Sequence, residues 1–300
     1  MKITIEETLA ASDVVTALTT GPYLIYSEVL EGARRPLSFL QVAEENFDLI
    51  GQNGHTIQFL SATQLGASSI TEANMLATGM TASDKTLSAV SVSVPDIIYS
   101  AVQLSDILAE DYPKINLVQL HFRNMGKAVM EYLDALTYST ISGTAGIVTY
   151  DAGAAMDYTD LTLALSSMEN NDWVPDAANP PFVIMAPDQA AILMQSTTFV
   201  TSERYTAYEL SRIVQGEAGL YAGMRVLKSS LLDGTGLSFI VFPPDSEYGP
   251  VVVIAWKRRV TLKNEREETK GYTYFGTTIR AKPVVVQALG VCKISTTASP

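Results

Sequence analysis

Three hundred residues exceed a usual single domain of ~100–200 residues, so one or two cores are expected. With 47% hydrophobic and 17% charged residues the chain reads as globular rather than disordered. Its net charge of −12, from 20 basic and 32 acidic residues, argues against a protein whose task is to grip nucleic acid.

The opening MKITIEETLAASDVV carries acids where a signal peptide would have an apolar core, so export by that route is not expected. Residues 1–53 read as an arm. Residues 4–18 have an imperfect helical period (Ile5, Leu9, Val14, Val15, Leu18) broken at Gly21-Pro22, and 38–50 carry no clear pattern. Residues 54–104 form a Gly/Ser/Thr-rich ribbon. Within it 56–62 alternate, with Ile57 and Phe59 on one side, and 86–94 alternate, with Val90, Val92 and Val94 on one side. Two such runs around a polar stretch predict a long β-hairpin. Its tip spans about 63–85 and ends at Lys85, and Pro95 interrupts the return strand. The ribbon has too little apolar material for a core, so Ile57, Phe59, Val90 and Val92 are expected to need a partner outside it, on a neighbouring subunit.

A single long helix follows over 113–142. Pro113 suits its first turn, after Asp111 or Tyr112 as cap. Ile115, Val118, Phe122, Met125, Val129, Leu133 and Leu136 form one apolar stripe, and Gly143 ends it. Lys114, Arg123, Lys127, Glu131 and Asp134 are assigned to the solvent side. The middle, 144–250, alternates elements: a helix over 160–168, a buried strand over 182–186, a helix from Pro187 to Gln195, a segment at 208–214, then Gly216, Gly219 and Gly223 before a strand at 224–228 and another at 237–242. The last fifty residues read as β. Residues 251–255 are wholly apolar, a turn falls at 268–271, and 284–294 present Val284, Val286, Cys292 and Ile294. This predicts three or four adjacent antiparallel strands. Cys292, the only cysteine, excludes an intramolecular disulfide, fits a reducing cytoplasm and reads as a small buried strand residue. No apolar run approaches the ~20 residues of a membrane helix.

Catalytic chemistry is poorly supplied. The two histidines, His55 and His121, lie far apart, and no phosphate-binding, zinc-protease or nucleophile-elbow motif occurs. The glycines at 216, 219 and 223 precede a strand, so they suit a turn with positive φ rather than a dinucleotide site. No cofactor or metal is called for. The charge is uneven. Residues 1–50 hold three basic and eight acidic residues, a net −5, and 256–282 hold eight basic and three acidic, a net +5. Glu28, Glu31, Glu44 and Glu45 on the arm and Arg258, Arg259, Lys263 and Arg266 on the tail are therefore candidates for pairing across subunits. The alternative is two solvated faces.

The order of these parts resembles the major capsid proteins of tailed double-stranded DNA viruses, with the Hong Kong ninety-seven fold. FVIMAPDQAAILMQ (182–195) resembles that family's strand, proline and helix, GEAGLYAGMRVLKSS (216–230) its Gly-rich turn and strand, and YFGTTIRAKPVVVQALGVCKI (274–294) its closing strands. The resemblance implies an α+β capsid fold: arm 1–53, extended β-hairpin loop 54–104, peripheral domain with spine helix 105–143, axial domain 144–250 and the peripheral domain's closing sheet 251–300. It implies a structural protein, not an enzyme. Copies would form pentamers and hexamers that tile an icosahedral shell around packaged double-stranded DNA, without sequence-specific binding. The extended loop would lie over an adjacent subunit, and the 264–271 turn would sit where capsomers meet. Portal and scaffolding proteins are implied as partners, with a decoration protein as an optional one, and no membrane. With about fifty residues ahead of the ribbon, a separate scaffolding protein is expected rather than a fused leader. The expected location is the virion capsid, after synthesis in the host cytoplasm. The isopeptide cross-link of one relative needs a loop Lys, an acceptor Asn and a Glu; Lys85, Asn264 and Glu265 match by type only. Two alternatives stay open from the residues: an encapsulin-type nanocompartment shell and a soluble α/β enzyme of unknown chemistry.

Overall fold

The computed structural model describes residues 37–62, 87–105, 117–153, 156–176, 179–195, 217–221, 223–246, 249–267 and 271–296. The expected arm helix, Glu28, Glu31, the hairpin tip with Lys85, the helix start at Pro113, the 208–214 segment and the Phe122 side chain lie outside the described residues.

The long helix α1 (Leu117–Gly143) follows from its stripe. Met125, Val129, Leu133 and Ile141 are buried at steps of four and eight, and Leu136 is partly buried on the same side. Its 27 residues make a rod of about 40 Å. Thr137, Thr140 and Thr144 return their hydroxyls to the carbonyls four residues back, which satisfies Thr137 in its fully buried position. The helix lies on a four-stranded sheet. Its core contact joins Val129 and Leu133 to Ile254, Trp256, Ile279 and Ala281.

That sheet contains β1 (Ala43–Asn46), β4 (Ile98–Ser105), β10 (Val252–Glu267) and β11 (Tyr272–Val285), in the order β1-β10-β11-β4. β10 and β11 are one long antiparallel hairpin, and β1 pairs parallel to β10, with Ala43 opposite Val252. Two expectations change here. Residues 43–46, without a pattern of their own, become a strand because β10 offers an open edge. Residues 98–104, placed in the extended loop by sequence, belong instead with Ser105 to this sheet, paired with β11 from Ile98 to Ser105.

The extended hairpin comprises β2 (Thr56–Ala62) and β3 (Leu87–Ser93), the former with the bounds expected. The second layer is a six-stranded sheet with β5 (Val148–Gly153), β6 (Phe182–Met185), β7 (Glu217–Tyr221), β8 (Met224–Lys228), β9 (Leu237–Val241) and β12 (Val291–Thr296), in the order β5-β12-β9-β6-β8-β7. Helices α2 (Tyr158–Glu169) and α3 (Pro187–Gln195) belong to this half. Asp157 and Asp160 close a capping box at the start of α2. Gly223, at φ +77°, makes the turn between β7 and β8, as its place before a strand predicts.

The assignment of the last strand is corrected. Residues 291–296 were expected in the closing sheet with β10 and β11. The chain instead crosses at the short turn Ala288–Gly290, and β12 inserts between β5 and β9. Val291, Cys292 and Ile294 are fully buried there. The alternation of Cys292 and Ile294 marks a buried face but not which sheet supplies it. Burial pushes the Cys292 thiol up to about 12, so it is an inert core residue, as its type predicts.

Asp134 is the clearest departure within α1. Sequence assigns it to water, yet it is 4% exposed. Its Oδ1 accepts the backbone N–H of Phe39 at 2.9 Å and of Leu40 at 3.0 Å. The carboxylate thus anchors the start of the 37–46 segment, whose Phe39 ring packs against Tyr138 and Phe239. Burial raises this carboxyl to about 6, although the two amide bonds pull it down. The folded chain therefore holds the proton at a pH where the unfolded chain, near the ordinary 3.8, has lost it. This contribution to stability is largest at low pH and falls as pH rises from about 4 through 6. Asp134→Asn keeps one oxygen to accept the amides and carries no charge. Its stability relative to the parent is expected to rise by on the order of 2 kcal/mol between about pH 4 and 7, read from urea midpoints. A difference constant across that window would contradict the assignment.

Candidate assembly surfaces and the root of the projecting hairpin

In the β2–β3 hairpin Ile57 stands opposite Val92 and Phe59 opposite Val90. The sequence expectation that these residues lack a partner in their own chain is corrected at the root. Val92 and Val94 are buried with Leu49 and Ala255, and Ile57, Phe59 and Val284 pack against that cluster. The partner is the face of the β10–β11 sheet opposite α1, because Ala255 and Val284 point away from the helix side held by Ile254, Trp256 and Ile279. Further out, Leu60 on the other face of β2 is 68% exposed.

The same sheet face carries two cations that serve the hairpin root. Lys257 Nζ donates to the carbonyls of Leu49 (3.2 Å), Gln52 and Gly54 (2.7 Å), in the turn that leads into β2. Arg280 Nη2 donates to the carbonyls of Val94 (3.0 Å) and Pro95 (2.9 Å), where β3 ends. Nothing in the sequence spacing signals either contact, since the partners lie 185 to 208 positions away.

The basic tail is thus partly engaged within its own chain. Arg259 lies over the Phe47 ring at 4.3 Å, and Phe47 stacks on Trp256 at 6.2 Å. Lys263, Asn264, Glu265 and Arg266 are exposed on the outer part of β10. Glu44 and Glu45 are exposed on β1, and among the described residues no ion pair joins them to Arg258 or Arg259. At the far end of the β10–β11 hairpin, residues 268–270 of the expected 268–271 turn lie outside the described residues; Gly271 takes φ +65° and its N–H bonds the Glu267 carbonyl at 3.1 Å. The Tyr272 hydroxyl donates to Glu267 at 2.5 Å, and that carboxylate, with the Tyr274 hydroxyl, holds the Tyr272 phenol above its ordinary range.

A groove of about 530 Å³ runs between α1 and β4, lined by Val129, Leu136, Ile98 and Ala281. Its rim is apolar and open: Ile97 is 49%, Tyr99 73% and Tyr132 58% exposed. Among the described residues no cluster of His, Cys, Asp and Glu suits a metal, and no helix is long and apolar enough to cross a membrane.

The sequence profile of a family described as phage capsid protein matches residues 99–294. No curated protein matches the chain. Among solved structures the fold is similar to the capsid of the cyanophage P-SCSP1u, with a TM-score of 0.66 at 15% identity over 89% of this chain and 90% of that one. It is similar to the capsid of Ralstonia phage GP4, with a TM-score of 0.67 at 11% identity over 86% and 88%. It is also similar to a virus-like particle from Pyrococcus furiosus, with a TM-score of 0.59 at 13% identity over 90% and 96%. At these identities the structural likeness establishes the α+β Hong Kong ninety-seven-type capsid fold.

Proposed function

The chain belongs to the phage capsid protein family and is a structural major capsid protein, and from that premise we propose that its copies assemble through pentamers and hexamers into an icosahedral shell around the phage genome. The observation that supports this reading is the projecting β2–β3 hairpin, held to its own body at the root while its outer face, with Leu60, stays open. The groove rimmed by Ile97, Tyr99 and Tyr132 is a second apolar surface, and a second copy of this chain is its occupant in the proposed shell.

In this reading α1 with β1, β4, β10 and β11 forms the peripheral half, and β5 to β9 with β12 forms the axial half. Of the expected arm, 1–53, residues 43–46 join the peripheral half as β1. The exposed hairpin residues supply subunit contacts through Leu60 and the open edges of Ile57 and Phe59, whereas Val92 is committed to the root. Charge pairing between copies is proposed for Glu44 and Glu45, exposed on β1, with Lys263 and Arg266, exposed on β10, and with the half-buried Arg258. The net charge of −12 suits a container that does not adhere to the packaged double-stranded DNA. Portal and scaffolding proteins are the further partners, and the virion is the location. The role is structural rather than enzymatic.

The test is assembly of the full chain, followed by light scattering and electron microscopy. Closed isometric particles or capsomers are expected for the parent. Tyr132→Glu, at an exposed rim position, is expected to stay folded and form no particles. Arg258→Glu combined with Lys263→Glu is expected to slow assembly at low salt, and added salt is expected to slow the parent similarly, because screening shortens the reach of exposed charges to ~8–10 Å. Particles that contain DNA support the genome container, and particles that contain only protein cargo support the nanocompartment reading. A well-folded species of 32.4 kDa at every concentration overturns the proposal.

A further inference from the structure

We propose that Lys257 and Arg280 are positioning residues that set the direction in which the β2–β3 hairpin leaves the body of the subunit. Apolar contact at the root (Ile57, Phe59, Val92 and Val94 on Ala255 and Val284) holds the hairpin down but is non-directional. A two-stranded ribbon is marginal alone, so its angle must be imposed from outside. The two cations meet that need. Lys257 takes the side where the chain enters the hairpin, with donors on three carbonyls, and an ammonium has three donors to give. Arg280 takes the side where the chain leaves, with one nitrogen on two consecutive carbonyls. Hydrogen bonds from ionised donors are shorter and roughly twice as strong as neutral ones.

The two clamps share one rigid base. The register of β10 and β11 runs Trp256 opposite Ala281, then Arg258 opposite Arg280, so Lys257 is the extra residue of a β-bulge beside Arg280. Bulges re-aim a side chain and add local twist. Here the bulge sets the ammonium beneath the 49–54 turn while Arg280, on the paired strand, reaches the 94–95 segment. Both feet of the hairpin therefore stand on adjacent strands of a single sheet. Because the acceptors are backbone carbonyls and not carboxylates, salt screens these bonds less than the exposed pairs described above.

The positioning itself is a property of the subunit. Its consequence for shell geometry rests on the proposed assembly. The two are separable by measuring the hairpin angle directly in the full chain. Cysteines introduced as Gln58→Cys on the exposed side of β2 and Glu169→Cys at the end of α2 accept spin labels, while native Cys292, fully buried, stays unlabelled. Labelled chain diluted into excess unlabelled chain reports the distance within one subunit, assembled or not. The parent is expected to give one narrow distance distribution at low and high salt. Lys257→Met with Arg280→Met is expected to widen it about twofold, as a ribbon that has lost its directional restraints, with unchanged far-ultraviolet dichroism. Lys257→Arg and Arg280→Lys, which keep a cation at each foot, are expected to retain most of the parent's sharpness. If the double variant does not fold, each single Met variant is expected to show partial broadening. A parent-like distribution in the foldable Met variants overturns the proposal, as does broadening that the conservative variants share fully.

Discussion

Leu133→Asp is expected to leave the chain unfolded, whereas Lys127→Ala is expected to melt with the parent. Leu133 is fully buried among Val129, Ile254, Trp256, Ile279 and Ala281, where α1 meets β10 and β11. Truncating such a side chain costs about 2–5 kcal/mol. An unpaired carboxylate in the same place adds several more. The site offers no relief, because the neighbouring Asp134 is already a buried carboxyl whose own bonds go to Phe39 and Leu40. The sum is comparable with the whole stability of a domain, ~5–15 kcal/mol. Lys127 sits on the opposite side, 42% exposed, and pairs with Glu131 one turn on at 3.2 Å. With the lysine N-terminal to the glutamate, that pair contributes at most ~0.5 kcal/mol. Soluble yield and thermal melting by circular dichroism check both. Equal behaviour of the two variants would refute the packing of α1.

Gly290→Val is expected to lower stability by roughly 3 kcal/mol or more, through overpacking. A Cβ at this position would lie 2.6 Å from Val251 Cγ2 and 2.8 Å from two ring carbons of Trp173. Neither neighbour has room to yield. Val251 is fully buried, and Trp173 is packed edge-on against Phe242, with ring centroids 5.2 Å apart. Gly290 also accepts the Phe242 N–H at 3.2 Å, just where the chain passes from one sheet to the other. Gly143→Ala is the control. That position is exposed with nothing within 4 Å, so the change is expected to be neutral or slightly stabilising. Urea unfolding of both variants gives the comparison, and equal midpoints would show that the crossing is loosely packed.

Signals confined to a few consecutive residues were legible in advance. The stripe from Met125 to Leu136 and the stop at Gly143 mark α1. Pro187 opens α3, alternation marks Thr56–Ala62, and Gly223 marks its turn. Each rests on local sterics or periodicity, which the chain carries without reference to its partners. The order of those parts was also enough to suggest a capsid subunit. Only the tertiary structure decided what depends on contacts between distant residues. Alternation in 291–296 shows that one face is buried, but β5 and β9 determine which sheet it joins. The parallel pairing of β1 comes from an open edge on β10, not from any pattern in 43–46. A count of charges puts Lys257 and Arg280 in a basic patch, and helical periodicity puts Asp134 in water. Their actual partners are backbone carbonyls and amides at least 94 positions away. Backbone donors and acceptors are present at every residue, so a sequence cannot announce which of them a side chain will meet.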